Sequence, residues 1–141
     1  ATGALDRAGQ TGRQVGGPIG VPEYTLDGTF TFEKGPFGTT VQGHYVPRGS
    51  YDASLIGPDD PKYSNTLANS IDNNVVGDML TFNLSLRYTI AVSGGSTMQV
   101  YAAINNLFDT DPPIAPGNSV TNPVFFDQTG RSYRAGVRLK F

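Results

Sequence analysis

LTFNLSLRYTI, residues 80–90, has the most regular alternation of apolar and polar residues in this chain. Apolar residues occupy every second position from Leu80 to Ile90, and polar residues occupy the positions between them. A period of two sends successive side chains to opposite faces of a β-strand, whereas a helix repeats after about 3.6 residues. We therefore predict a strand over residues 77–92, with one apolar and one polar face.

Four further segments alternate in the same way and predict strands at about 24–33, 39–51, 97–104 and 131–141. Short turns follow the first and third strands, whereas long loops at 52–76 and 105–130 follow the second and fourth. Residues 1–22 are rich in glycine and are predicted to be a loop or loosely held arm. The pattern indicates an all-β fold, an antiparallel meander of about five long strands.

The composition excludes several classes of protein. The 141 residues include 18 Gly and 10 Pro, a proportion that breaks a chain into short segments and excludes an all-helical protein. The absence of Cys removes disulfides, thiolate metal sites and cysteine nucleophiles. No apolar run approaches the roughly 20 residues of a membrane-spanning helix. Membrane strands remain possible.

Two environments can produce these alternating strands. A soluble sandwich buries its apolar face, whereas an outer-membrane barrel turns that face to lipid and lines its lumen with the polar face. Long strands, the regular order of short and long connections, and the final Phe141 favour the barrel. On the apolar face, aromatic residues are expected near both rims: Phe30, Phe32, Tyr88 and Phe141 near one, and Tyr24, Tyr45, Phe82 and Tyr133 near the other.

Three sequence stretches resemble TonB-dependent outer-membrane receptors of the sphingomonad type. Asn105-Asn106-Leu107-Phe108-Asp109 and, about 20 residues later, GRSYRAGVRLKF (130–141) look like the C-terminal signature of that family. The segment 22–52, PEYTLDGTFTFEKGPFGTTVQGHYVPRGSYD, is similar to the penultimate barrel hairpin. The resemblance extends over roughly residues 18–141 and is most specific in the last 40 residues or so.

This resemblance implies that residues 23–141 are the C-terminal part of a transmembrane β-barrel, incomplete on its own. Family members add a plug domain, a TonB-binding box and a barrel of about 22 strands. The implied location is the outer membrane of a Gram-negative bacterium. The implied partners are its lipid, the remainder of the receptor and the barrel-assembly machinery. Because the first residue is Ala1 and not Met, an N-terminal portion is expected to precede it.

The resemblance also implies roles for individual residues. The two long loops would be extracellular and help to capture a siderophore, cobalamin or an oligosaccharide. Their candidate ligand-binding aromatics are Tyr51, Tyr63, Phe108, Phe125 and Phe126. The candidate lumen-facing residues are Gln99, Tyr101, Arg134 and Arg138.

The final strand resembles the signal that the barrel-assembly machinery reads. Its matching residues are Tyr133, Val137, Leu139 and the terminal Phe141. The alternative interpretation is that Phe141 is a terminal residue of a soluble core. Deletion of Phe141 from a full receptor is expected to impair assembly.

No motif for catalysis, a metal or a cofactor is found. His44 is the only histidine, and Ser93-Gly94-Gly95-Ser96 is better interpreted as a turn than as a nucleophile elbow. Asp27 and Glu33 lie six residues apart on one strand, roughly 20 Å, too far for paired carboxylate chemistry. Neither Asp59-Asp60 nor Asp109–Asp111 matches a calcium loop. We expect no enzyme activity, no cofactor and no metal.

Nucleic acid is not an expected partner either. Arg131, Arg134, Arg138 and Lys140 cluster in the last strand, but the aromatic residues of that strand fall on its opposite face. Two other classes of function remain open. The chain could be a structural β-protein or fragment that assembles edge to edge into an oligomer or extracellular filament. It could also be a soluble carbohydrate-binding sandwich.

Overall fold

A computed structural model describes residues 4–12, 20–116 and 121–141. It confirms the predicted all-β class and contains an antiparallel sheet of five strands that does not close on itself. Parts of the predicted N-terminal arm, residues 1–3 and 13–19, lie outside the described residues. Within the described part, no helix has the length and apolar character needed to cross a membrane.

Five strands form the main sheet in the spatial order β1-β2-β5-β6-β7. They are β1 (Leu26–Lys34), β2 (Phe37–Val46), β5 (Met79–Ala91), β6 (Thr97–Asn105) and β7 (Ser132–Lys140). A separate pair consists of β3 (Gly49–Ser50) and β4 (Val75–Val76), which are antiparallel. Because β1 and β7 are the outermost strands, the main sheet has two open edges.

The strand predicted at 39–51 is too long, because β2 ends at Val46 and is followed by Pro47. Proline has no N–H to donate to a strand ladder and restricts the residue before it. After Pro47 the chain leaves the main sheet, and Gly49 and Ser50 pair instead with Val76 and Val75. This short ladder joins the two ends of the long loop between β2 and β5.

Two tight turns join neighbouring strands of the sheet. Gly35 in the first turn, like Gly94 and Gly95 in the second, has a positive φ that favours glycine. Both turns lie at one end of the sheet, since the carbonyl of Pro36 accepts a 2.8 Å hydrogen bond from the backbone N–H of Thr89 near the end of β5.

The described residues group into two compact units. A sheet unit contains Leu26–His44, Leu80–Thr110 and Thr129–Phe141, whereas a loop unit contains Ala1–Thr25, Tyr45–Met79 and Asp111–Gln128. Five apolar side chains are buried among the described residues, and all belong to the loop unit: Val46, Val76, Met79, Ala115 and Phe126. The sheet unit has no buried apolar side chain among its described residues.

The N-terminal segment is held more firmly than the predicted loose arm. Ser50 donates its backbone N–H to the carbonyl of Gly9 at 2.7 Å, and its own carbonyl accepts the N–H of Thr11 at 2.9 Å. Gln10 and Thr11 are completely buried. Residues 9–11 thus form part of the loop unit, although they belong to no regular strand.

Candidate functional site

The polar face of the sheet carries a transverse row of side chains. Arg87 lies opposite Tyr101, and Tyr101 lies opposite Gly136, so all three share one face. The Arg87 guanidinium reaches over Gly38 in β2 and forms an ion pair with Glu33 in β1. The row therefore runs across all five strands and identifies Glu33 as a residue of the polar face.

The four candidate lumen residues lie together on this polar face. Gln99 faces Arg138, and Arg134 faces Ala103 across β6 and β7. The Tyr101 ring covers Gly136, where an added Cβ would lie 2.5 Å from the tyrosine oxygen. Glycine at this position leaves room for the ring to lie flat across the sheet.

Three basic side chains of β7 have no polar partner among the described residues. Arg134, Arg138 and Lys140 are exposed, and none forms an ion pair or side-chain hydrogen bond there. The same face of β6 offers Gln99, Tyr101 and Ala103, none of which is acidic. The open edge at β7 is therefore a positively charged stripe.

The other end of the polar face contains the single histidine. His44 Nδ1 lies 2.6 Å from Asp27 Oδ1, and both side chains are exposed. A cavity of about 250 Å³ adjoins this pair and is also lined by Gln42 and Asn83. Among the described residues, no three His, Cys, Asp or Glu side chains are grouped to hold a metal ion.

The five candidate loop aromatics do not form one site. Phe126 is 0% exposed and belongs to the core of the loop unit, so its proposed contact with a ligand is wrong for this structure. Tyr51 and Phe125 are partly buried against the same core. Sequence spacing could not distinguish these roles, because the packing depends on contacts between segments far apart in the chain.

Tyr63 is the loop aromatic with a defined polar contact. Its hydroxyl donates a 3.1 Å hydrogen bond to Asp72 Oδ1, and this bond is the main reason why the pKa of Tyr63 is raised. A cavity of about 550 Å³ in the same loop is lined by Leu55, Pro58, Asp59, Asp60, Asp72 and Asn74. The loop between β2 and β5 therefore has a polar, acidic cavity of its own.

Phe108 belongs to the sheet unit and not to the loop unit. Its ring packs edge-on against Phe82 with 5.7 Å between ring centroids, yet 68% of the residue is exposed. Phe108 is therefore the most exposed of the five candidate ligand-binding aromatics. Its position at the start of the second long loop is compatible with contact to a ligand.

The resemblance to the receptor signature drew attention to Asn106 and Asp109, but their structural role was not predicted. The backbone N–H of Asn106 donates to Asn83 Oδ1 at 2.9 Å, and its side chain exchanges two hydrogen bonds with the backbone of Thr110. Asp109 accepts the backbone N–H of Arg131 and pairs with its guanidinium at 3.2 Å. Together they fix both ends of the second long loop.

The candidate assembly residues lie on one exposed face. Tyr133, Val137 and Leu139 occupy alternate positions of β7 and are 71%, 58% and 57% exposed. Phe141 follows the end of β7 and is 98% exposed, so the alternative of a terminal core residue is wrong for this structure. These four apolar side chains are available to an external partner.

Comparison with known proteins found no matching family model, no matching curated protein and no matching solved structure. The features of the described residues that bear on function are the open sheet, its exposed apolar face and the charges of its polar face.

Proposed function

We propose that this chain is the C-terminal barrel segment of an outer-membrane receptor for TonB-dependent uptake. The observation that carries the proposal is the apolar face of the sheet, which is exposed across its full width. Exposed residues of this face occur in each of the five strands: Phe30 in β1, Phe37 in β2, Leu86 in β5, Val100 in β6 and Val137 in β7. Contiguous apolar surface of this kind indicates contact with lipid or with a partner.

The position of the core supports this interpretation. A soluble sandwich covers the apolar face of each sheet with a second layer. Here the buried apolar residues of the described chain all lie in the loop unit, and the sheet unit contributes none. Lipid would take the place of a second layer on such a sheet.

Strand length also supports a membrane role. The strands β1, β6 and β7 have nine residues each, β2 has ten and β5 has thirteen. A tilted strand needs about 9–11 residues to cross a bilayer, whereas globular strands have about 5–6. Tyr24 and Tyr45, with 6.5 Å between ring centroids, are suited to one aromatic rim.

In this proposal the polar face lines the lumen and the long loops are extracellular. Arg134 and Arg138 would face the plug or water, and Tyr63 and Phe108 are the accessible loop aromatics for a siderophore, cobalamin or oligosaccharide. Tyr133, Val137, Leu139 and Phe141 would face lipid and carry the assembly signal. The outer membrane would then be the location, and the rest of the receptor would pair with the open edges.

A second candidate is a structural β-protein that assembles edge to edge. The specific observation in its favour is the open sheet, with β1 and β7 as unpaired edge strands. Unpaired edges invite the addition of another strand in water, and in lipid they are costly. Both candidates require a partner for these edges, but only the receptor requires lipid on the apolar face.

Vesicle flotation tests the proposed membrane role. The purified chain is refolded with phosphatidylcholine and phosphatidylglycerol vesicles and centrifuged through a density gradient. We expect the chain to float with the vesicles after a carbonate wash, because its apolar sheet face is in lipid. A chain that stays soluble and monomeric in buffer, and remains at the bottom of the gradient, would contradict the receptor proposal.

The length of the reading frame separates the two candidates. A frame that encodes a plug domain and further alternating strands upstream of Ala1 would support the receptor. A short frame with only a signal sequence before Ala1 would support the edge-to-edge assembly instead.

A further inference from the structure

The two open edges of the sheet carry opposite charges on the same face. Glu33 of β1 reaches Arg87 on the polar face, and Asp27 lies six residues earlier on the same side of the strand. At the other edge, Arg134 and Lys140 of β7 lie on this face too, because they alternate with Gly136 beneath Tyr101. One edge is acidic and the other is basic.

Strand direction determines how two such edges can meet. In an antiparallel sheet with the order β1-β2-β5-β6-β7, the first and fifth strands run in the same direction. A rotated second copy that keeps its polar face on the same side can therefore present β1 parallel to β7. Parallel pairing within one chain needs a long crossover, but pairing between separate chains has no such requirement.

One register of β1 against β7 places acids beside bases on the polar face and apolar residues beside each other on the apolar face. Asp27 and Glu33 are six residues apart, as are Arg134 and Lys140, so a single offset puts each acid beside a base. The same offset sets Leu26 beside Tyr133, Phe30 beside Val137 and Phe32 beside Leu139. These apolar residues are all exposed in the single chain.

Pairing of like edges is less favourable. Two copies of β7 would bring together three unpaired bases from each strand, and two copies of β1 would bring together their acids. Like charges opposite one another in a sheet destabilise the pair. Charge complementarity therefore selects the arrangement in which the β1 edge of one copy meets the β7 edge of the next.

We propose that this chain self-associates head to tail, with β1 of one copy added in parallel to β7 of a second copy. Backbone hydrogen bonds between the two edge strands supply the attraction, and the two acid-base pairs select the register. This inference uses the open edges and does not rest on the membrane role of the apolar face. It deepens the edge-to-edge assembly by naming the partner strand and the register.

Cysteine cross-linking tests the register directly, because the native chain contains no Cys. The variants Phe30→Cys and Val137→Cys are purified separately, mixed in detergent micelles and oxidised. We expect a disulfide-linked species at twice the 15.0 kDa chain mass in the mixture, with little in either variant alone. Phe30→Cys mixed with Tyr133→Cys is the off-register control and is expected to form little disulfide-linked species.

Charge reversal provides the second arm of the experiment. The double variant Arg134→Glu and Lys140→Glu leaves the Glu33–Arg87 and Asp27–His44 pairs intact, so it preserves the interactions of β1. We expect its dissociation constant, from sedimentation equilibrium in micelles, to rise about tenfold or more. The matched control, Arg48→Glu with Lys62→Glu, reverses the same number of exposed charges in loops and is expected to associate like the native chain.

Recovery of association completes the test. Mixing Arg134→Glu/Lys140→Glu with Asp27→Lys/Glu33→Lys places opposite charges at every junction of an oligomer in which the two variants alternate, and is expected to restore oligomers. A native chain that is monomeric in micelles would overturn the head-to-tail proposal, and so would cysteine variants that form disulfides only with copies of themselves. Vesicle flotation is measured on the same samples, so failure of self-association remains distinguishable from failure of the proposed membrane role.

Discussion

Among single residues, the clearest feature is the pair of residues with left-handed backbone at the start of the second long loop. Asn106 has φ of 50° and Asp109 has φ of 58°. Asparagine and aspartate tolerate this region better than other side chains apart from glycine. The sequence shows Asn106 and Asp109 as part of the stretch 105–109, but it does not show what they contact. Their partners, Asn83 and Arg131, lie more than 20 residues away along the chain.

Asn106→Ala is expected to lower the free energy of unfolding by about 3 kcal/mol. About 1 kcal/mol comes from each of the two side-chain hydrogen bonds to Thr110, and the rest from alanine in the left-handed region. Asn105→Ala is the matched control, since Asn105 is exposed and donates one hydrogen bond to Ser132. It is expected to cost less than about 1 kcal/mol. Urea titration in detergent micelles measures both, and equal losses would contradict this role of Asn106.

Tyr63 is expected to ionise above its ordinary pKa of 10.0, chiefly because its hydroxyl donates a hydrogen bond to Asp72. The folded state therefore favours the neutral phenol. The stabilising contribution is complete below pH 10 and is lost as the pH rises through the higher pKa of the folded state. Phenolate absorbance measures the titration of all the tyrosines, and comparison with a Tyr63→Phe variant identifies the part of the absorbance change that belongs to Tyr63. Asp72→Asn should bring the midpoint closer to 10, and an unchanged midpoint would exclude the hydrogen bond as the main cause.

At the scale of elements, the main strands could be predicted because alternation is a local property. The strand predicted at 77–92 corresponds to β5 at Met79–Ala91, and the one at 97–104 corresponds to β6 at Thr97–Asn105. The error at the end of β2 arose because Ser50 continues the alternation beyond Pro47. Its pairing with Val75 is a contact between distant segments that no local pattern encodes.

Val100→Lys and Gln99→Lys together test which face of β6 contacts lipid. Val100 is exposed on the apolar face near the middle of the strand, whereas its neighbour Gln99 lies on the polar face. A lysine near the bilayer midplane costs about 2–4 kcal/mol on a lipid-facing position and far less in a lumen. We expect Val100→Lys to reduce insertion into vesicles strongly and Gln99→Lys to leave it nearly unchanged. Equal effects of the two substitutions would contradict lipid contact on this face.

At the scale of the whole molecule, the sequence predicts the sheet better than it predicts the loop unit. Phe125 and Phe126 are adjacent and chemically identical, yet Phe126 is completely buried and Phe125 only partly. The difference depends on packing against Val46, Val76 and Met79, which come from other parts of the chain. The polar face could be predicted from alternation, but the burial of Phe126 could not.

In the proposed membrane arrangement, the apolar face of the sheet contacts lipid and the polar face does not. Since the chain contains no Trp, one tryptophan introduced at a time reports on a single position. Val100→Trp and Gln99→Trp are inserted into vesicles that contain brominated lipids, and the quenching of tryptophan fluorescence is measured. We expect strong quenching at position 100 and weak quenching at position 99. Equal quenching at both positions, or quenching at neither, would contradict this arrangement.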